Sequence, residues 1–393
     1  MPGNFSTVVF INHWAANMGG AELSLLDIME FASPLCRAHL ITSESGRLSD
    51  KAIELGVECH IIECTLKPGG GERKKLLRFA ARSLPDCISF VKYVMSVRSL
   101  VKLLQPVCIH ANVPKSHITL FLLAVLGYKG KCCFHLREIF PQRSLPCFLY
   151  RFLFPYKQGF IIAISEAVKN NLPGSLRKKT HVIYNGIHVP ENQITYIGRK
   201  DAVKFLYLGR IVPWKGCIEL VDIFAEIKKK FADPNATLTL IGDTIYWSLD
   251  YRKKVLERIN NYGLEQSCFL LNGTDKPYEI FPDYNVFCSA AFEEPFGRAV
   301  VEAQAASMPV VVYDGGAMKE TVEHEKNGFI VPYGDKAGFA LELCKFINNP
   351  DLIPLMGKNG YDHVKTRFNR LVQTPLICDA ILHSTTGIRF QVH

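Results

Sequence analysis

The chain has 393 residues, 48% of them hydrophobic and 21% charged. That composition suits a soluble globular protein with enough length for two cores, and it excludes a disordered or collagen-like chain. The net charge of +9 is lopsided: residues 1–190 carry 23 Lys+Arg against 12 Asp+Glu, and the remainder carries 23 against 25. The central apolar run 118–128 is too short to cross a bilayer. The N-terminal "MPGNFSTVVFIN" has neither a charged leader nor a cleavage site, so no secretory signal is expected. Cysteine is present 13 times, an odd count without a CxxC pair and mostly in apolar settings such as that of Cys288. Reduced, buried thiols in a cytoplasm fit this better than disulfides or zinc.

In chain order, "STVVFIN" reads as a short buried strand, a glycine-containing loop follows, and "LSLLDIMEFA" has the 3.6-residue period of a helix. "AHLIT", "CHIIE", "VCIHA", "KCCFHL" and "FIIAIS" continue as short strands. The basic excess is densest over 67–102, where Lys and Arg alternate with Leu, Phe, Val and Tyr at roughly helical spacing. It reads either as a solvated helix face or as an amphipathic surface for anionic lipid. Nucleic acid ranks last as a partner, because no recognisable nucleic-acid motif is present.

After "THVIYNGIHVP" the polar stretch 191–201 reads as a linker, and the pattern restarts with "VKFLYLGR", "CIELVDIFAEIKKKF", "ATLTLIG", a helix near 250–262, "CFLLNG", "YNVFCSA" and "PVVVYD". Two sets of strands alternating with helices predict an α/β protein of two doubly wound, Rossmann-like domains facing a central cleft. The expected domains are 1–190, 191–365 and a terminal helical segment 366–393.

Three motifs carry chemistry. In "YLGRIVPWKG" a strand end is followed by Arg210 and Lys215, two cations suited to a diphosphate, or simply solvating a turn. In "NMGGAE", Gly19 and Gly20 permit close backbone approach ahead of a helix N-terminus; the spacing is not GxGxxG, which disfavours a nicotinamide dinucleotide. In "EEPFGRAVVEAQAASMPVVVYDGG", Pro295 suits the first turn of a helix and frees the amides of Phe296 and Gly297 for a phosphate. Glu302 lies among alanines and valines, where a carboxylate needs a partner, and ribose hydroxyls would serve without any protein group. If one helix carried both Glu294 and Glu302, they would stand about 12 Å apart along its axis. That is too far for a glycosidase pair, which needs roughly 5–9.5 Å.

These motifs, together with "GGAELSLLDI", "FIIAISEAVKNNL", "VIYNGI" and "NGFIVPYGD", resemble in order and spacing the retaining glycosyltransferases of family 4, enzymes of the GT-B fold that use nucleotide sugars. The resemblance covers roughly residues 8–345. It implies that Arg210, Lys215 and Gly20 hold the donor diphosphate, and Glu302 the ribose. It places Glu294 on the transferred sugar, and the backbone of Phe296, Gly297 and Arg298 near sugar or phosphate. His135 matches the family histidine near the sugar–phosphate junction, so His135 and Glu294 are the expected catalytic pair. His110, Ser165 and Asn185 are candidate cleft residues, with core histidine and turn asparagine as the plainer alternatives. The loop 273–281 falls where relatives hold the base. The resemblance also implies that the last helix, around 366–385, crosses back onto the N-terminal domain, which receives the acceptor.

The chain departs from the family at Ser307, in place of a usual glycine, at His188, in place of a frequent Asp, and in the spacing before Glu320. The expected activity is transfer of a hexose-type sugar from a UDP- or GDP-type donor to a glycan or lipid-linked acceptor, without cofactor or essential metal. The expected location is the cytoplasm, with peripheral contact at the inner face of an anionic membrane. Rival readings are a GT-B phosphorylase, a nucleotide-sugar epimerase, and a non-catalytic sugar-nucleotide or membrane-surface binding protein.

Overall fold

The computed structural model describes residues 5–16, 18–64, 76–140, 150, 159–191, 193, 202–230, 235–244 and 248–383. Most of the expected linker, and the start of the basic run up to residue 75, lie outside them. The chain divides into two compact units, Met1–Gly186 with Arg370–His393, and Ile187–Asn369.

The first unit is built on strands β1 (Thr7–Ile11), β2 (Arg37–Thr42), β3 (Glu58–Ile61), β4 (Cys108–Ala111), β5 (Lys131–Leu136), β6 (Gly159–Ala163) and β7 (Thr180–Val182). They form one sheet in the order β3-β2-β1-β4-β5-β6-β7, with every pairing parallel. Val8 to Ile11 of β1 are wholly buried, as expected of a strand covered on both faces by crossover helices. The strand order reverses between β1 and β4. The last helix, Arg370–Leu382, belongs to this unit. Its Ile377, Cys378, Ala380 and Ile381 enter the same core as Val8, Phe10, Leu25 and Leu40. Arg370 Nη1 lies 2.9 Å from Glu30 Oε2 on helix Gly20–Ala32.

The second unit carries β8 (Val203–Leu208), β9 (Ala236–Ile241), β10 (Cys268–Leu271), β11 (Val286–Ser289), β12 (Val310–Tyr313) and β13 (Gly328–Val331). Their order is β10-β9-β8-β11-β12-β13, again all parallel. Alternate residues of β8 serve opposite faces. Phe205 and Tyr207 join the core with Phe224, Tyr313 and Phe339, while Leu206 joins Phe281, Phe287 and Val312 on the other side. Here the order reverses between β8 and β11. β13 and the helices Lys336–Asn348 and Leu352–Arg367 extend the expected run of elements; a four-residue apolar run has no readable period of its own.

The described cysteines are free, nine of them buried. Burial pushes the Cys108 and Cys288 thiols well up, so they are inert apolar fillers.

Candidate active site

In open α/β sheets, ligands bind beyond the strand C-termini where strand order reverses. In the second unit that point lies between β8 and β11. Arg210 and Lys215 follow β8, and Glu294 follows β11. The turn Pro213–Lys215 ends at Gly216, whose φ is +72°. A Cβ on Gly216 would come within 2.2 Å of the Ala290 carbonyl oxygen, so only glycine fits. Phe292 N–H donates to the Trp214 carbonyl at 3.0 Å, tying the two loops together. This stitching sets Lys215 Nζ against Glu294 Oε1 as an ion pair, with the carboxylate side chain only 11% exposed. A third loop, after β12, holds the Glu294 backbone, whose carbonyl accepts from Ala317 N–H at 2.7 Å. Gly316 bridges Glu294. Arg210 is exposed, and among the described residues no acceptor is bonded to its guanidinium.

Two expectations for this segment are corrected. The helix begins at Arg298 rather than at Pro295. The bridge to Gly316 holds Glu294 out of helical geometry, and the N-cap Gly297 has a left-handed φ of +79°. The 12 Å axial spacing of the two glutamates therefore does not apply. Glu302 is indeed buried, at 8% exposure, but it has a protein partner: Arg298 Nε donates to its Oε1 at 2.7 Å, one turn away. The Phe296 ring serves the core, edge-on to Phe368 at 5.6 Å, so its side chain is withheld from a ligand. Ser307 has φ +61°, which explains why glycine is usual there. The His188 ring packs edge-on against Tyr278 of the loop 273–281, centroids 5.4 Å apart.

In the first unit the reversal lies between β1 and β4, and a buried polar network occupies the strand ends. His110 pairs in register with Cys133, so His135, two residues on, shares its face. His110 Nε2 and His135 Nδ1 are 3.0 Å apart, and Arg137 Nη2 lies 3.3 Å from the same Nδ1. Arginine only donates. Nδ1 of His135 is therefore an acceptor, its proton sits on Nε2, and His110 donates through Nε2. Nδ1 of His110 and Nε2–H of His135 are left buried without partners. Burial, and then the Arg137 charge, hold both pKa values well below the ordinary range, so both rings are neutral.

Arg137 also donates from Nε to Asn112 Oδ1 and from Nη1 to Asn185 Oδ1, each at 2.7 Å. Asn112 in turn donates to Asn12 Oδ1 at 2.9 Å. Arg137, which the sequence did not single out, thus links His135 to Asn185, and His110 joins through His135. Its one signal was the position two residues beyond His135 at a strand end. His117 donates from Nε2 to the carbonyls of Ala111 and His135, at 3.1 and 3.2 Å. Ser165 caps helix Glu166–Asn170, accepting from Val168 N–H at 3.1 Å. Gly20 opens helix Gly20–Ala32, where Gly19 N–H already donates to Glu22 Oε2 at 3.0 Å.

Two doubly wound parallel sheets, each with polar side chains gathered where strand order reverses, define an α/β protein of two Rossmann-like domains. Over 95% of its length the chain superposes on 98% of the Anabaena HepE protein crystallised with UDP and glucose, at TM-score 0.78 and 22% identity. The fold is GT-B. Residues 191–363, which lie within the second unit, match the family model described as Glycosyl transferases group 1. The chain is 29% identical over 225 residues to the capsular polysaccharide biosynthesis glycosyltransferase CapM of Staphylococcus aureus, covering 53% of this chain and 57% of that one. It is 23% identical over 340 residues to CapH of the same organism, covering 83% and 84%. The chain thus spans a little over half the length of the first of these relatives.

Proposed function

We propose that the protein is a retaining glycosyltransferase that moves a hexose-type sugar from a UDP- or GDP-type donor to a hydroxyl of a glycan or lipid-linked acceptor. The observation that carries this reading is the Lys215–Glu294 pair, set between adjacent strand ends at the β8/β11 reversal with Arg210 on the same loop. Arg210 and Lys215 are the fixed cations that meet the charge developing on a departing diphosphate, and no metal is required of the mechanism. Glu302, which already accepts from Arg298 Nε, accepts the vicinal ribose hydroxyls as well. Glu294 orients the transferred sugar, and His135, whose buried Nε2–H has no partner, is the hydrogen-bond donor offered by the first unit. The acceptor oxygen bonds to the anomeric carbon on the face the diphosphate leaves. The diphosphate departs with the electron pair and takes the acceptor proton. Relatives named for capsular polysaccharide biosynthesis, and a fold neighbour holding UDP and glucose, support a glycan acceptor and a nucleotide-sugar donor.

The test is a mass-spectrometric screen of UDP- and GDP-sugars with water and simple glycosides as acceptors. Turnover with retention, lost in Lys215→Ala, is the expected result. Phosphate-dependent cleavage without a nucleotide would point to a phosphorylase, and epimerised donor formed without acceptor to an epimerase. Nucleotide binding without turnover across the panel would point to a binding protein.

A membrane-surface location is part of the proposal. Helix Leu76–Leu104 exposes Ile88, Val91 and Met95 at a spacing that shares one face, and Lys92 and Lys102 are exposed on the same helix. No described helix is long and apolar enough to cross a membrane. We place the enzyme in the cytoplasm against anionic lipid. Salt-sensitive co-sedimentation with anionic vesicles is expected, and its absence would remove this part.

A further inference from the structure

Strands β3 and β2 form one outer edge of the first unit's sheet, with β2 beside β1 and β3 outermost. His39 of β2 stands in register with Glu58 of β3, and Ile41 with His60. Residues two apart on a strand share a face, so His39, Glu58 and His60 project together. His39 Nδ1 lies 3.1 Å from His60 Nε2. Glu58 straddles the pair, with Oε2 3.6 Å from His39 Nδ1 and Oε1 3.6 Å from His60 Nε2. Among the described residues these three are the one group of His, Cys, Asp or Glu side chains with ligand atoms close enough to share a metal ion.

Two imidazoles and a carboxylate are a zinc ligand set, and ligands at about 2.0–2.1 Å in a tetrahedron stand roughly 3.3 Å from one another. The spacings of 3.1 and 3.6 Å bracket that edge. We propose that His39, Glu58 and His60 bind a borderline divalent cation of the zinc type, which pins the edge strand β3 to β2.

Without the ion, one of the two facing ring nitrogens carries the proton and donates it to the other. With the ion bound, that proton moves to the far nitrogen of the same ring, both imidazoles ligate as neutral groups, and no redox change is involved. Glu58 supplies one negative charge against the Arg37 charge that also acts on His39. Glu58 is 67% exposed and His60 20%, which leaves the fourth position to water. A ligand set with an open position also fits catalytic zinc, but the place of this one at the sheet edge assigns it to structure.

The experiment uses tag-free, chelator-stripped full-length protein. Co²⁺ is titrated by visible absorption and Zn²⁺ by calorimetry, with thermal unfolding measured in parallel. One equivalent of Co²⁺ is expected, with ligand-field bands but without the near-ultraviolet charge transfer that thiolate ligands add. Zn²⁺ should raise the unfolding midpoint of the wild type. In His60→Ala the affinity should fall by roughly tenfold or more and the midpoint shift should vanish. Glu58→Gln, a change at an exposed side chain, should weaken binding without affecting the fold if His60→Ala proves unstable. Equal affinity in the wild type and both variants, or thiolate bands in the Co²⁺ spectrum, would overturn the assignment.

Discussion

Lys215 and Glu294, 79 residues apart in the chain, form an ion pair in which both side chains are largely withdrawn from water. A buried carboxylate that loses its cation is destabilised, and a cation removed from a phosphate site no longer meets developing charge. Lys215→Ala is expected to lower kcat/KM for the nucleotide sugar about 10²–10³-fold. Glu294→Gln keeps the shape and should lower kcat more than it changes KM. Steady-state kinetics on the two variants checks both, and wild-type-like turnover in Lys215→Ala would contradict the site.

Gly316 connects backbone strain to that pair. Its φ is +60°, and a Cβ there would come 2.0 Å from the Glu294 carbonyl oxygen. Gly316→Ala should therefore displace Glu294, with turnover reduced more than tenfold, a penalty of about 1.4 kcal/mol or more. The loss of folding stability should stay near 1–3 kcal/mol. Kinetics and chemical denaturation on the same preparation separate the two effects.

Ser307 offers the opposite case. It holds φ +61° with its hydroxyl buried and unpaired. Glycine there relieves the left-handed strain and removes the orphaned hydroxyl, at some cost in chain entropy. Ser307→Gly should raise stability by about 0.5–1 kcal/mol, a rise in Tm of roughly 1–4 °C for a unit of this size. Scanning calorimetry decides; a lower Tm would refute the strain argument.

The buried histidines predict an acid-sensitive first unit. Burial, aided by Lys115, lowers the His13 pKa to about 4, and burial lowers that of His117 to about 4. His110 and His135 are held well below the ordinary value. A folded-state pKa below the unfolded value gives stability that is complete above about pH 6.5 and is lost as pH falls toward the folded value. The urea midpoint should therefore be flat from pH 8 to 7 and fall steadily from 6.5 to 4.5. A nitrogen-15 NMR spectrum at pH 7 should show His135 neutral with its proton on Nε2. Arg137→Gln should lower stability by about 2–4 kcal/mol, because it strips a charged donor from Asn112, Asn185 and His135 together.

Much of the fold was legible because its signals are local. Apolar runs such as "STVVFIN" and "PVVVYD" mark strands buried on both faces, and two alternating sets of strands and helices mark two doubly wound sheets. The candidate residues of the second unit stood out as a spaced motif, and the structure pairs two of them, Lys215 and Glu294. The start of the helix after Glu294 was not, because a proline that suits a helix also suits the turn before one, and the left-handed Gly297 and the bridge to Gly316 settled the matter. With the helix starting at Arg298, the four-residue step to Glu302 becomes a helical neighbour pair, which the sequence contained but the misplaced start concealed.

The sequence by itself determined which segments become strands, where charge and glycine stand, and which kind of chemistry those residues suit. The tertiary structure alone decided which strand ends meet. That depends on sheet order, set by burying both faces under crossover helices, and no local period reports it. Arg137 joins Asn112, His135 and Asn185, and His39 meets His60, because the sheet order brings residues distant in the chain close together.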